Sequence, residues 1–154
     1  SAEASAYHEK SFKERPQEYG DAVRARLEMA YLLRATDYVK AQRARTLLIQ
    51  RMEELMGRFD LLITPVCPIA APKIGQPVVT VAGQEIPVLN LLTRLTSLFN
   101  LTGMPAISVP CGFTSQGLPI GLQIAGRPFD EATVFQAAHA YETRAGWRKR
   151  RPSL

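Results

Sequence analysis

The sequence has only two cysteines, two histidines and one tryptophan, and it lacks any long apolar run. Two thiols do not make a disulfide scaffold or a four-thiolate zinc site, and no pair of these cysteines and histidines has metal-ligand spacing. No stretch approaches the roughly 20 apolar residues of a membrane helix. Metal and membrane partners are therefore not expected.

Positive charge exceeds negative charge substantially in one place only, a C-terminal basic tail at residues 143–154. Residues 1–60 carry 11 Lys or Arg against 10 Asp or Glu, whereas residues 61–140 carry three of each, although the whole chain has a net charge of +5. A localised tail is unlike the broad basic face of a nucleic-acid-binding fold. We interpret it as a solvated end and expect no nucleic acid partner.

What is present is an ordinary globular composition, with 46% hydrophobic and 21% charged residues over 154 positions. We treat residues 1–154 as a single fragment with a helical segment, residues 1–58, before an α/β segment, residues 59–154. Pro16 is expected to interrupt any helix near it. Apolar residues at helical spacing predict one helix from Asp21 to about residue 35 and a second from about Asp37 to Met56.

The α/β segment has short apolar runs that predict strands buried on both faces of a sheet. These strands cover residues 61–64, 106–109 and 120–125, and Pro65 and Pro110 are expected to end the first two. A proline-rich loop, residues 65–87, contains a small predicted hairpin at 78–86. Helices are predicted over residues 88–99 and after Asp130. Short strands flanked by helices indicate a layered α/β protein whose sheet is incomplete in this chain.

The sequence offers no self-contained catalytic set. Cys111, with His139 as its base, lacks a third orienting residue, and a buried structural cysteine is the more ordinary reading. The absence of any Gly-Gly or Ser-Ser dipeptide removes the Gly/Ser-rich loop that a Ser-Lys hydrolase would need for its nucleophile and oxyanion hole.

Two arginines are candidates for substrate recognition. Arg94 stands alone in the apolar helix predicted over residues 88–99, where it either recognises an acid or only extends to solvent at a helix edge. Arg26 is two residues from Arg24 on the helix that begins at Asp21, so the two side chains face different ways.

Four segments together carry a resemblance to a known family. They are DLLITPVCP (60–68), FNLTGMPAISVPCGF (99–113), LPIGLQIAG (118–126) and FDEAT (129–133). In this order they resemble the C-terminal part of the amidase signature family, over a likeness that runs from about Asp21 to Glu142. The segment from Phe99 to Phe113 is the most specific of the four.

The resemblance implies the C-terminal part of a layered α/β/α amidase-signature fold with a mixed sheet. It also implies a parent enzyme that hydrolyses a small-molecule carboxamide through a serine acyl-enzyme, with no metal and no organic cofactor. The family's two serines and its lysine lie in a Gly/Ser-rich region that nothing here matches, so no catalytic residue is expected in this chain. We expect a cytoplasmic protein that is inactive as an isolated chain.

Any functional residue that the resemblance assigns to this chain therefore belongs to the substrate pocket or to the framework of the fold. In the family's tRNA-dependent amidotransferases, an arginine and an acid hold the amino-acid end of glutamine. By alignment the arginine falls on Arg26, whereas the acid falls on or near Thr93, beside Arg94. This departure favours a general amidase over part of an amidotransferase. A non-catalytic interaction module is the third interpretation.

Because neighbouring strands and helices are missing, we also expect self-association through exposed apolar surface.

Overall fold

The computed structural model describes residues 2–150, apart from the side chain of Arg148. These residues form two compact units whose boundary lies between Leu47 and Leu48, inside α3. The helices are α1 (Ala2–Glu14), α2 (Asp21–Ala30), α3 (Ala35–Met56), α4 (Val88–Leu92), α5 (Ser97–Thr102) and α6 (Glu131–Ala145). The strands are β1 (Leu61–Pro65), β2 (Val78–Val81), β3 (Gln84–Pro87), β4 (Ala106–Phe113) and β5 (Pro119–Gly126). Within this described part, no helix is both long enough and apolar enough to cross a membrane.

The first unit contains a helix that the sequence analysis missed. Pro16 does not prevent helix formation; α1 ends at Glu14, before the residue that precedes the proline. The ring of Pro16 disfavours helical geometry at Arg15, and the chain then continues as a 3₁₀ turn with proline in its first position. The predicted interruption at Pro16 is confirmed, whereas the helix on its N-terminal side was not predicted.

An aromatic cluster holds the first unit together. The ring of Phe12 lies 5.3 Å from that of Tyr19 and stacks at 6.1 Å on that of Tyr31. The Tyr19 hydroxyl is 2.6 Å from Ser11 Oγ and 3.2 Å from His8 Nδ1. Edge-to-face and stacked rings at such distances add to the apolar area that they bury. The cluster therefore fixes the turn between α1 and α2.

The main sheet of the second unit has the strand order β1-β5-β4, with both neighbouring pairs antiparallel. Strands β4 and β5 form an antiparallel hairpin that pairs from Ala106↔Ala125 to Phe113↔Pro119. The predicted hairpin at 78–86 is confirmed as the antiparallel pair β2 and β3. Within the described residues the sheet is antiparallel, so the mixed sheet expected of the whole fold requires strands outside this set.

Strand β4 runs past the proline that was predicted to end it. It continues from Pro110 to Phe113 through a register shift between Pro110 and Gly112. A β-bulge accommodates a proline because it leaves one residue out of the hydrogen-bonded ladder. Gly112, at φ 155°, adopts a conformation that favours glycine. The residue left out is Cys111, next to Pro110, and the strand continues past the proline to Phe113.

Helices cover both faces of this sheet, which confirms the layered α/β/α architecture. On one face, Ala125 and Leu62 pack against a cluster from α3, α5 and the turn that follows, formed by Met52, Met56, Phe99 and Met104. On the other face, Val109 and Ile124 pack against Ala138 of α6. Side chains alternate between the faces of a strand, so each strand contributes to both layers.

Burial on both faces is incomplete at β1. Ile63 is 63% exposed although it lies in the middle of an apolar strand. Strand β1 is at an edge of the sheet as described, since β5 is its one partner strand among residues 2–150. The expectation that all three strands are buried on both faces is therefore wrong for β1 within this chain.

Arg127 fixes the path between α3 and β1. Its guanidinium donates to the carbonyl oxygens of Met56 and Phe59, at 3.1 and 3.3 Å, and to Asp60 Oδ1 at 2.9 Å. Carbonyls at a helix C-terminus are unpaired within the helix, and a cation satisfies them. The end of β5 thereby holds the start of β1.

The described part of the basic tail makes contacts with the end of β4. The Arg150 guanidinium lies 4.2 Å from the centre of the Phe113 ring, and the Trp147 ring lies 6.0 Å from the same ring. An arginine over an aromatic face gains a cation–π attraction. Arg150 is exposed, as expected of a solvated end, but the tail is also anchored at this point. Residues 151–154 lie outside the described residues.

Candidate substrate-binding site

The segment that carries two predicted site residues is a turn. The helix predicted over residues 88–99 breaks into α4 and α5, with residues 93–96 between them. The Thr93 carbonyl accepts hydrogen bonds from the Ser97 backbone N–H at 2.9 Å, the Ser97 hydroxyl at 2.6 Å and the Thr96 hydroxyl at 3.3 Å. Hydroxyl groups that bond to a nearby carbonyl compete with regular helix geometry. The setting assigned to Arg94, inside an apolar helix, is therefore wrong.

Thr93 and Arg94 are adjacent on this turn, and both side chains are exposed. Arg26 is exposed on α2 in the first unit. Within the described residues neither arginine has an ion pair, whereas Arg24 pairs with Asp21 at 2.9 Å. The structure thus brings Thr93 and Arg94 together, whereas Arg26 belongs to the first unit.

A large open cleft lies on the α5-side face of the sheet, next to this turn. Its volume is about 590 Å³. Residues 66–71, Leu92, Ser108, Pro110, Thr114 and residues 119–121 form its wall. This size is within the range of pockets for small organic ligands, which are mostly apolar with few polar groups.

A small cleft of about 300 Å³ lies beside the large one. The two clefts share Val66 and Ser108. Leu92 lines the large cleft and Thr96 lines the small one, so the turn with Thr93 and Arg94 joins the walls of both. Two of the predicted substrate residues, Thr93 and Arg94, are therefore at the border of an apolar groove, which sequence reasoning did not foresee.

Gln123 connects the sheet to this turn. Its side-chain amide donates to Thr64 Oγ1 at 2.9 Å and to the Leu95 carbonyl at 3.4 Å, and the residue is only 4% exposed. A buried amide is costly to leave unpaired, so these partners stabilise the turn against the strand. In the sequence, this contact is indicated only by a lone side-chain amide within the apolar strand of residues 120–125.

The structure does not assemble the other catalytic candidates. His139 is exposed on α6, and no hydrogen bond joins its ring to Cys111 among residues 2–150. Cys67 Sγ donates to the Leu92 carbonyl at 3.1 Å, in the wall of the large cleft. In the same described part, no three His, Cys, Asp or Glu side chains are grouped to hold a metal ion.

Comparison with known proteins places these features in a family. The sequence profile described as "Amidase" matches residues 1–135. The chain is 42% identical over 153 residues to an amidase from Pseudomonas putida, covering 99% of this chain and 33% of that protein. It is also 42% identical over 144 residues to the A component of the glutamyl-tRNA(Gln) amidotransferase from Brevibacillus brevis, covering 90% of this chain and 28% of that one.

A solved structure described as the crystal structure of amidase superposes with a TM-score of 0.87 and 30% identity, covering 94% of this chain and 33% of that one. The chain belongs to the amidase family. It spans about a third of the length of the curated relatives that it matches. The resemblance carried by residues 99–113 is thereby confirmed.

Proposed function

We propose that this chain is part of an amidase that hydrolyses a carboxamide to a carboxylic acid and ammonia or an amine. The observation that carries the proposal is the family match over residues 1–135, on a chain that spans about a third of its relatives. The chain supplies sheet layers and one wall of the substrate pocket. Small amides are the expected partners, and a cytoplasmic location belongs to the same proposal.

The chemistry proposed for the whole enzyme is serine acyl transfer. A serine oxygen attacks the carbonyl carbon, the C–N bond breaks as the leaving nitrogen takes a proton, and water then hydrolyses the acyl-enzyme ester. Donors in an oxyanion hole stabilise the charge that develops in each tetrahedral intermediate. The two serines and the lysine that the resemblance implies would come from residues outside this chain. Arg26, Thr93 and Arg94 would orient the substrate.

The amidotransferase A component is the alternative, because such proteins are as similar in sequence as the amidase. Thr93 argues against it, since the resemblance implies an acid there for holding glutamine. A hydroxyl does not pair with the α-ammonium group of glutamine as a carboxylate does. We therefore place the general amidase first.

A chimera tests this proposal. In the P. putida amidase, the stretch that this chain matches is replaced by residues 1–154. We expect the chimera to release ammonia from simple aliphatic or aryl amides, and the isolated chain to release none, because the reacting groups are outside it. Turnover by the isolated chain that Cys111→Ala abolishes would overturn the proposal, as would a folded chimera without activity. Activity that requires glutamine and tRNA would favour the amidotransferase.

Arg26→Ala and Arg94→Ala in the chimera are expected to lower kcat/KM by about 10- to 100-fold, because each removes a charge-assisted contact with substrate. Arg43→Ala on α3, also exposed, is the matched control and should change little. Steady-state kinetics and thermal melting on each variant decide the outcome. Unchanged activity with a lowered melting temperature would show that both arginines are structural.

Self-association of the isolated chain is expected, because an edge strand with an exposed apolar residue offers unpaired backbone groups to a second copy. Sedimentation velocity should show a dimer that dissociates on dilution. Ile63→Lys should give a monomer, whereas Leu47→Lys on α3, a site with the same 63% exposure, should not. A wild-type monomer at high concentration would contradict this expectation.

A further inference from the structure

Among the described residues that form the wall of the large cleft, none has a charged side chain. Its members are apolar residues and glycine, together with Cys67, Ser108 and Thr114. A charge placed against such a wall would lose its hydration without gaining a partner. The cleft therefore favours an uncharged occupant over an ionised one.

Two of the three polar side chains in the wall, those of Thr114 and Cys67, already form hydrogen bonds within the protein. The Thr114 hydroxyl accepts hydrogen bonds from the backbone N–H groups of Gln116 and Leu118, at 3.2 and 3.1 Å. The Cys67 thiol donates to the Leu92 carbonyl at 3.1 Å. Within residues 2–150, the Ser108 hydroxyl has no hydrogen-bond partner. A ligand would thus find the Ser108 hydroxyl unpartnered, whereas the Thr114 oxygen is already occupied as an acceptor.

Gly121 is part of the cleft wall and lets two other wall residues pack closely against β5. A Cβ atom at this position would lie 2.9 Å from Ser108 Oγ and 2.9 Å from Val66 Cγ2. Any side chain here would displace these two residues, so glycine at this position keeps the wall as it is.

We propose that the large cleft binds the uncharged apolar group of the substrate amide, with the Ser108 hydroxyl as its polar contact. The inference rests on the proposed function, which it makes specific: neutral aliphatic or aromatic amides bind here, and amides of ionised amino acids do not. The turn with Thr93 and Arg94 joins the cleft wall at Leu92, so it would face the polar end of the same molecule.

The two cysteines of the chain allow a test of whether an amide occupies the large cleft. Cys67 lines the cleft, whereas Cys111, also half-buried, does not. The isolated chain is treated with N-ethylmaleimide in the presence of 4-phenylbutanamide, and modification of each cysteine is followed by mass spectrometry. We expect modification of Cys67 to slow several-fold and that of Cys111 to stay unchanged. Glutamine at the same concentration should protect neither.

A filling variant makes the test specific to the cleft. Ala70→Phe should abolish the protection by 4-phenylbutanamide, whereas Ala132→Phe, on the exposed surface of α6, should keep it. In the chimera, Ala70→Phe should raise KM for 4-phenylbutanamide relative to acetamide by about tenfold or more, the effect of steric exclusion from an apolar pocket. Circular dichroism checks that each variant is folded.

The outcomes separate the inference from the function on which it rests. The first outcome is that 4-phenylbutanamide protects Cys67, that Ala70→Phe removes this protection, and that the chimera has no amidase activity. This outcome would support the cleft as a binding site and overturn the proposed function. An active chimera in which Cys67 is not protected and Ala70→Phe leaves the KM ratio unchanged would overturn the inference. Protection of Cys67 that depends on protein concentration alone would assign the cleft to a second copy and also overturn it.

Discussion

Gly126→Ala is expected to lower the free energy of unfolding by about 1–3 kcal/mol, because it places a methyl group into a filled interface. A Cβ atom at Gly126 would lie 2.6 Å from Val134 Cγ2, where β5 packs against α6. Real side chains do not approach so closely, so the helix or the strand must shift. Chemical denaturation of the variant and the wild type measures the difference.

A second substitution identifies the cause. Val134→Ala removes the clashing methyl group, so adding Gly126→Ala to it should cost much less than Gly126→Ala alone, as a double-mutant cycle would show. Gly20→Ala is the control, since a Cβ atom there meets nothing within 4 Å. Additive effects of the two substitutions would contradict a close contact between β5 and α6 at this point.

Met56→Ala is expected to be still more damaging, with a loss of about 2–5 kcal/mol of unfolding free energy. Met56 is 2% exposed in the cluster that joins α3 to the sheet. Truncation removes buried apolar area and leaves a cavity that Phe99 and Met104 cannot fill without moving. Urea denaturation followed by circular dichroism measures the loss.

Leu47→Ala is the matched control on the same helix, at a site that is 63% exposed. It should change the unfolding free energy by no more than about 0.5 kcal/mol. Equal losses at the two sites would mean that α3 does not pack on the sheet as described. A loss at Met56 below that of the control would exclude this cluster as a core.

Strands were predicted from the sequence because their signal is local. The runs at residues 61–64 and 120–125 were found within one residue of their true ends. Glycine inside an apolar strand is typical of close backbone packing, and both Gly121 and Gly126 are closely packed in β5. The helix predicted after Asp130 is found as α6, and the Asp130 carboxylate accepts from the Thr133 backbone N–H at its start.

The break between α4 and α5 could not be read from periodicity. Leu89, Leu92, Leu95 and Phe99 keep helical spacing straight through it. The deciding interactions are the Thr96 and Ser97 hydroxyls on the Thr93 carbonyl, together with the Gln123 amide on Leu95. Residue 123 is far from this turn in sequence, so local patterns do not contain the contact. The cleft was missed for the same reason, because it needs residues 66–71 beside β4.

The strand order β1-β5-β4 also bears on the order of folding. The central strand, β5, is the last of the three along the chain, and its pairing with β4 closes only the short loop between Phe113 and Pro119. Pairing of β5 with β1 must close a loop of more than fifty residues, from Pro65 to Leu122, and this costs more chain entropy. We therefore expect the β4–β5 hairpin to nucleate the sheet and β1 to dock late. During synthesis, β1 therefore has no partner strand until the ribosome has released the chain through β5, which ends at Gly126.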